Sequence, residues 1–164
     1  MNGLRVLTVL TWGYSRDRSF EDLLAALPED LRRWVNVGIV DVRRSRGTWN
    51  PHWRGSKWNP PAWVLERELM DWALRYTWLW ALGNSKDARP GEWEPCGGLT
   101  DVDRQLGILE SRLRELGAVV IICAEGDPRP GTRFQCHRVA VAAEPARRTG
   151  ATITHLGGPN AIPD

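Results

Sequence analysis

Apolar residues along this chain fall into two alternating rhythms. Short, nearly unbroken apolar runs mark buried strands at Leu4–Leu10, Trp34–Val42, Tyr76–Trp80, Ala118–Cys123 and Ala151–Leu156. Between them the apolar residues recur at helical spacing. Ser19 is placed to cap a helix with Asp22 three residues on; Phe20, Leu23, Leu24 and Leu27 form its apolar face, and Pro28 closes it. Pro60-Pro61 can open a second helix, with Leu65, Leu69, Trp72 and Ala73 on its buried face. The clearest helix follows Thr100, where Val102, Leu106, Leu109, Leu113 and Leu116 step by four and three until Gly117 stops it. A last helix is expected from Phe134 to Arg148, ended by Gly150.

Five strands alternating with helices, without a hairpin signal between strands, predict an α/β fold. The expected architecture is one doubly wound, mainly parallel five-stranded sheet of order 3-2-1-4-5 with helices on both faces. Residues 1–157 form a single Rossmann-like domain on this reading, and the Gly/Pro-containing stretch 158–164 is a flexible tail.

Composition narrows the class further. Hydrophobic residues make up 42% and charged residues 26% of 164, which are globular values and exclude wholesale disorder. A net charge of +2 excludes a histone-like polybasic protein. No apolar run approaches the roughly 20 residues of a membrane span, so no membrane partner is expected. Three cysteines are too few, and odd in number, for a disulfide framework. Met1-Asn2-Gly3-Leu4-Arg5 carries no charged leader, and with free thiols the expected setting is the cytoplasm.

In a doubly wound sheet, ligands bind beyond the carboxyl ends of the strands, and the polar residues of this chain gather there. The first strand runs into Thr11, Gly13, Tyr14 and Ser15, and the second into Asp41 and Arg43. The fourth is followed by Glu125, the fifth carries His155, and the last helix begins near Cys136-His137-Arg138. Glu125 follows the most apolar strand, where burial would raise its pKa and suit acid–base or nucleophilic work; a salt bridge to Arg138 or Arg43 is the plainer reading. Cys136, beside His137 and Arg138 at a helix start, has a setting that lowers a thiol pKa, or else simply builds the turn. Asp41 and Arg43 either grip a polar ligand or pair with each other. Cys123 reads as a small core residue.

These same residues resemble the DUF488 family, a group of small microbial proteins. Thr11-Trp12-Gly13-Tyr14-Ser15, Asp41-Val42-Arg43, Tyr76 with Leu82-Gly83-Asn84, Cys123-Ala124-Glu125, Cys136-His137-Arg138 and His155-Leu156 occur in the family's order over roughly residues 4–157. The resemblance implies a Rossmann-like fold and an intracellular setting, and it supplies no reaction. Two segments depart from the pattern. Arg44-Ser45-Arg46 stands where the family usually has a proline, and 126–135 is longer than usual.

Tryptophan is the compositional oddity, supplying 10 residues against 2 Tyr and 2 Phe. Four of the ten lie between Val42 and Leu65, a stretch without a single acid. There Arg43, Arg44, Arg46, Arg54 and Lys57 interleave with Trp49, Trp53, Trp58 and Trp63. Cations alternating with indoles suit single-stranded nucleic acid, whose bases stack and whose phosphates pair; covering the sheet edge is the structural alternative. Other motifs fail. Cys123 to Arg129 has phosphatase spacing, but Glu125 and Asp127 would repel phosphate. No paired spacing supports a metal site, and neither a phosphate loop nor a nucleophile elbow is present. No cofactor is expected. The sequence therefore points to a small enzyme acting on a nucleotide, nucleoside or base, with Glu125, Cys136 and His137 as its chemistry. The alternatives are a nucleic-acid-binding module using the Trp/Arg loop 43–63, and sulfur or redox chemistry at Cys136.

Overall fold

The computed structural model describes residues 6–13, 20–32, 37–44, 75–85, 88, 92–123 and 137–156. Among these residues five strands are formed: β1 (Thr8–Gly13), β2 (Val37–Asp41), β3 (Arg75–Trp78), β4 (Ala118–Cys123) and β5 (Thr152–Leu156). The helices are α1 (Phe20–Ala26), α2 (Glu29–Arg32), α3 (Leu99–Leu116) and α4 (Arg138–Thr149), with a 3-10 turn at Trp80–Leu82. Pro28 does more than close α1. Its carbonyl accepts from Leu31 N at 2.9 Å, so the chain enters the short α2 that the apolar pattern does not announce. The helix expected after Pro60-Pro61 lies outside the described residues.

All strand pairs are parallel, and the fold is α/β as the alternation predicts. The order is β3-β2-β4-β1-β5 rather than 3-2-1-4-5. β4 has moved between β2 and β1, and the reason lies in its side chains. Ala-Val-Val-Ile-Ile-Cys is the strand with no polar side chain, and it is buried at every position. A strand covered on both faces must be apolar throughout, so β4 takes the centre. β1 carries Thr8 and Thr11, and β2 ends on Asp41; both flank it.

Two apolar layers cover the sheet. On one face Leu23 of α1, Leu31 of α2 and Leu27 between them pack on Leu10, Trp12, Val37, Ile39, Val120 and Ile122. On the other, Val102, Leu106, Leu109 and Leu113 of α3 and Val141 and Ala142 of α4 pack on Val9, Val40, Val119 and Ile121. Alternation along each strand thus assigns every side chain at the carboxyl edge to a face. α3 begins one residue before Thr100, with Gly98 at its N-cap, and ends where Gly117 takes a left-handed φ of 82° and its N–H bonds the Leu113 carbonyl. Among the described residues no helix is long and apolar enough to cross a membrane.

The new order also shifts the parting of the chain. From β2 the chain goes to β3 at one edge, and from β4 to β5 at the other. These neighbours send the chain in opposite directions, the arrangement that opens a crevice in α/β sheets.

Candidate site at the carboxyl edge

Val42 and Arg43 follow β2, and almost every main-chain group there is fixed. Val42 N donates to the Ile122 carbonyl at 3.2 Å, and Leu79 N donates to the Asp41 carbonyl at 2.9 Å. The Trp78 indole N–H donates to the Arg43 carbonyl at 2.8 Å. Asp41 turns the chain by accepting Arg43 N on Oδ1 at 3.0 Å, an Asx-type turn. Trp78 is therefore more than core filling, a role the sequence does not suggest.

Asp41 is fully buried, and a buried carboxylate must be paired. Arg43 Nε donates to Oδ1 at 2.8 Å and Oδ2 at 2.9 Å, and Arg43 Nη2 also reaches Oδ2. Tyr76, two residues along β3 from the register partner of Asp41, donates its hydroxyl to Oδ2 at 2.7 Å. Tyr76 packs with the layer of α1 and α2, so this cluster belongs to that face. Between the two sequence readings of Asp41 and Arg43, the geometry shows the ion pair.

The opposite face carries a different set. Thr11 points to the side of Val9, and its register partner on β5 is His155. The Thr11 hydroxyl and His155 Nδ1 are 2.6 Å apart. Burial lowers the His155 pKa, and the positive charge of Arg138 lowers it further. Arg138 opens α4 and is buried. Just before it, His137 Nε2 lies 3.1 Å from the Val42 carbonyl. A carbonyl only accepts, so Nε2 carries the proton and donates. His137 thereby fastens the start of α4 to the end of β2.

Cys123 Sγ lies 3.7 Å from His137 Nδ1 and 3.8 Å from Nε2. A sulfur equidistant from both nitrogens lies along neither lone pair. It packs beside the ring rather than forming a thiol–base pair, in keeping with a small core cysteine. Gly13 ends β1 opposite Cys123.

A third group closes the edge beyond β3. A Cβ on Gly83 would stand 2.5 Å from Arg44 N, so only glycine admits this approach of two main chains. Asn84 holds the segment 92–94 with both side-chain atoms, donating to the Glu92 carbonyl at 2.9 Å and accepting Glu94 N at 3.0 Å. Cys96 Sγ donates to the Trp80 carbonyl at 3.0 Å. Burial raises its pKa, against weaker lowering by its backbone hydrogen bond and the charge of Arg44. This thiol is a packing group, not an activated one.

The structure thus brings Thr11, Gly13, Asp41, Arg43, His137, Arg138 and His155 to one edge of the sheet, divided between its faces, with Arg44 exposed beside them. Tyr14, Ser15, Glu125, Cys136, Arg46, Trp49, Trp53, Arg54, Lys57 and Trp58 lie outside the described residues, as does the stretch 158–164. No family model matches the chain, and neither the curated proteins nor the solved structures yield a match.

Proposed function

We propose that the protein binds a small anionic, nucleotide-like ligand at the carboxyl edge of its sheet and acts on it as a small enzyme. The observation that carries this reading is the half-buried His155 on β5, in the positive field of the buried Arg138 that opens α4, at the carboxyl edge of the sheet, whereas Arg43 is taken up by Asp41. A fixed positive charge beside a reachable ring favours an anionic ligand. The order of the DUF488-like motifs supports the same reading, and their described members Thr11, Asp41, His137, Arg138 and His155 lie at this edge. Glu125, two residues beyond the end of β4, is assigned the chemistry as acid–base or as nucleophile at a glycosidic carbon.

The test is a thermal-shift screen with nucleosides, nucleoside mono- and triphosphates, inorganic phosphate and single-stranded oligonucleotides, followed by a search for turnover of whatever binds. Stabilisation by mononucleotides is expected. Glu125→Gln should abolish turnover without lowering the Tm, and undiminished activity would remove Glu125 from the chemistry. Stabilisation by oligonucleotides alone, weakened when Arg44, Arg46 and Arg54 are neutralised, would move binding to the Trp/Arg loop and overturn the enzyme reading.

A further inference from the structure

We propose that Thr11 holds His155 in its Nε2-protonated tautomer, and that this N–H donates to an anionic oxygen of the bound ligand. The inference rests on the ligand reading above and names how that ligand is held.

The argument starts from a buried hydroxyl. Thr11 is fully buried in the middle of the sheet. Among the described residues, the ring nitrogen at 2.6 Å is the hydrogen-bond partner of its hydroxyl. Native interiors rarely leave a hydroxyl hydrogen unpaired, so Thr11 donates and His155 Nδ1 accepts. A nitrogen that accepts carries no proton, and the proton of the neutral ring then sits on Nε2. Full burial also excludes Thr11 as a nucleophile: it is a positioning residue.

Three further observations agree. Burial and the Arg138 charge both disfavour the imidazolium, so the ring stays neutral while keeping one N–H. His155 is half-buried, which leaves the ring reachable, and among the described residues Nε2 has no hydrogen-bond partner. The other described histidine is differently committed, because its Nε2–H goes to the Val42 carbonyl. Arg138 is buried and acts through its positive charge, which reaches the His155 ring. A neutral N–H donor in a positive field selects an acceptor oxygen bearing negative charge, such as a phosphate oxygen.

The test uses the full chain labelled with 15N at histidine, with the His155 resonances assigned by their loss in His155→Phe. In the unliganded protein near pH 7, the expected pattern is protonated Nε2 and unprotonated Nδ1. Thr11→Ser should keep it, and Thr11→Val should mix the tautomers. Inorganic phosphate and a nucleoside monophosphate are then titrated separately. Both should move the Nε2 resonance, and His155→Phe should weaken each by about tenfold, the loss of one good hydrogen bond to a charged group. A protonated Nδ1 in the unliganded protein overturns the proposal. Nucleotide binding that leaves Nε2 unmoved also overturns it, while the ligand reading stands. Phosphate moving Nε2 with no nucleotide binding supports the proposal and overturns the nucleotide part of that reading. No binding by either probe overturns both.

Discussion

The two faces of the sheet finish differently at the same edge. On the side of α1 and α2, Asp41, Arg43 and Tyr76 form a charged cluster whose hydrogen bonds point inward. On the side of α4, Thr11 and His155 form a neutral pair that is half open. The charged cluster, which looks more like a binding site in the sequence, is the structurally closed one. A carboxylate already accepting from a guanidinium, a phenol and a main-chain N–H gains little from a ligand. The neutral pair uses its hidden atoms for orientation, and among the described residues its outer nitrogen has no hydrogen-bond partner. High charge marks where the fold is fastened; partial exposure of a pinned ring marks where it can meet something else.

Substitutions at the closed cluster should therefore cost stability, and those at the open pair should cost recognition. The largest effect is expected for Asp41→Ala, which leaves Arg43 buried without its carboxylate. A loss of about 3–5 kcal/mol in urea unfolding is expected, with much of it recovered when Arg43→Met is added. A loss below ~1 kcal/mol would mean that the cluster is not what fastens β2. Tyr76→Phe removes one hydrogen bond to a charged acceptor and should cost about 1.5–3 kcal/mol in the same measurement. On the open face, Thr11→Val keeps the shape and removes one neutral hydrogen bond, so unfolding should change by only about 0.5–1.5 kcal/mol. If Thr11→Val were as damaging as Asp41→Ala, the contrast between the faces would collapse.

The smallest expected effect is in the pH dependence. The folded-state pKa of His155 lies below its ordinary value of 6.5. Between the two values the unfolded chain binds the extra proton, so stability rises with pH across that window. The contribution of His155 is complete above pH 6.5 and is lost as pH falls through the folded-state value. His155→Phe should flatten this part of the wild-type profile, as followed by thermal unfolding from pH 5 to 8. An unchanged slope would show that burial and the Arg138 charge do not hold the His155 pKa down.

Some of this was readable along the chain. The apolar run 118–123 is β4 to the residue, and Gly117 closes α3 as its position suggests. Asp41 and Arg43 could be read as a candidate pair because they stand two apart and the turn between them is local. Their third partner could not, since Tyr76 is 35 residues away and reaches Asp41 only because β3 lies beside β2. The Thr11–His155 pair spans 144 residues and depends on β1 and β5 being neighbours in one register. His137 was visible as a polar residue at a helix start, but its hold on the Val42 carbonyl was not.

Sequence alone determined the five strands and the two longest described helices. Helical spacing, apolar runs and stop residues act within a few positions of one another and need no knowledge of the rest of the chain. Tertiary structure decided the order of the strands. β4 took the centre because the most apolar strand loses least when both its faces are covered, and that comparison is made only among assembled strands. It also decided which polar residue meets which. Such partnerships join distant parts of the chain through neighbouring strands, and one residue's shift in register would turn each side chain to the other face.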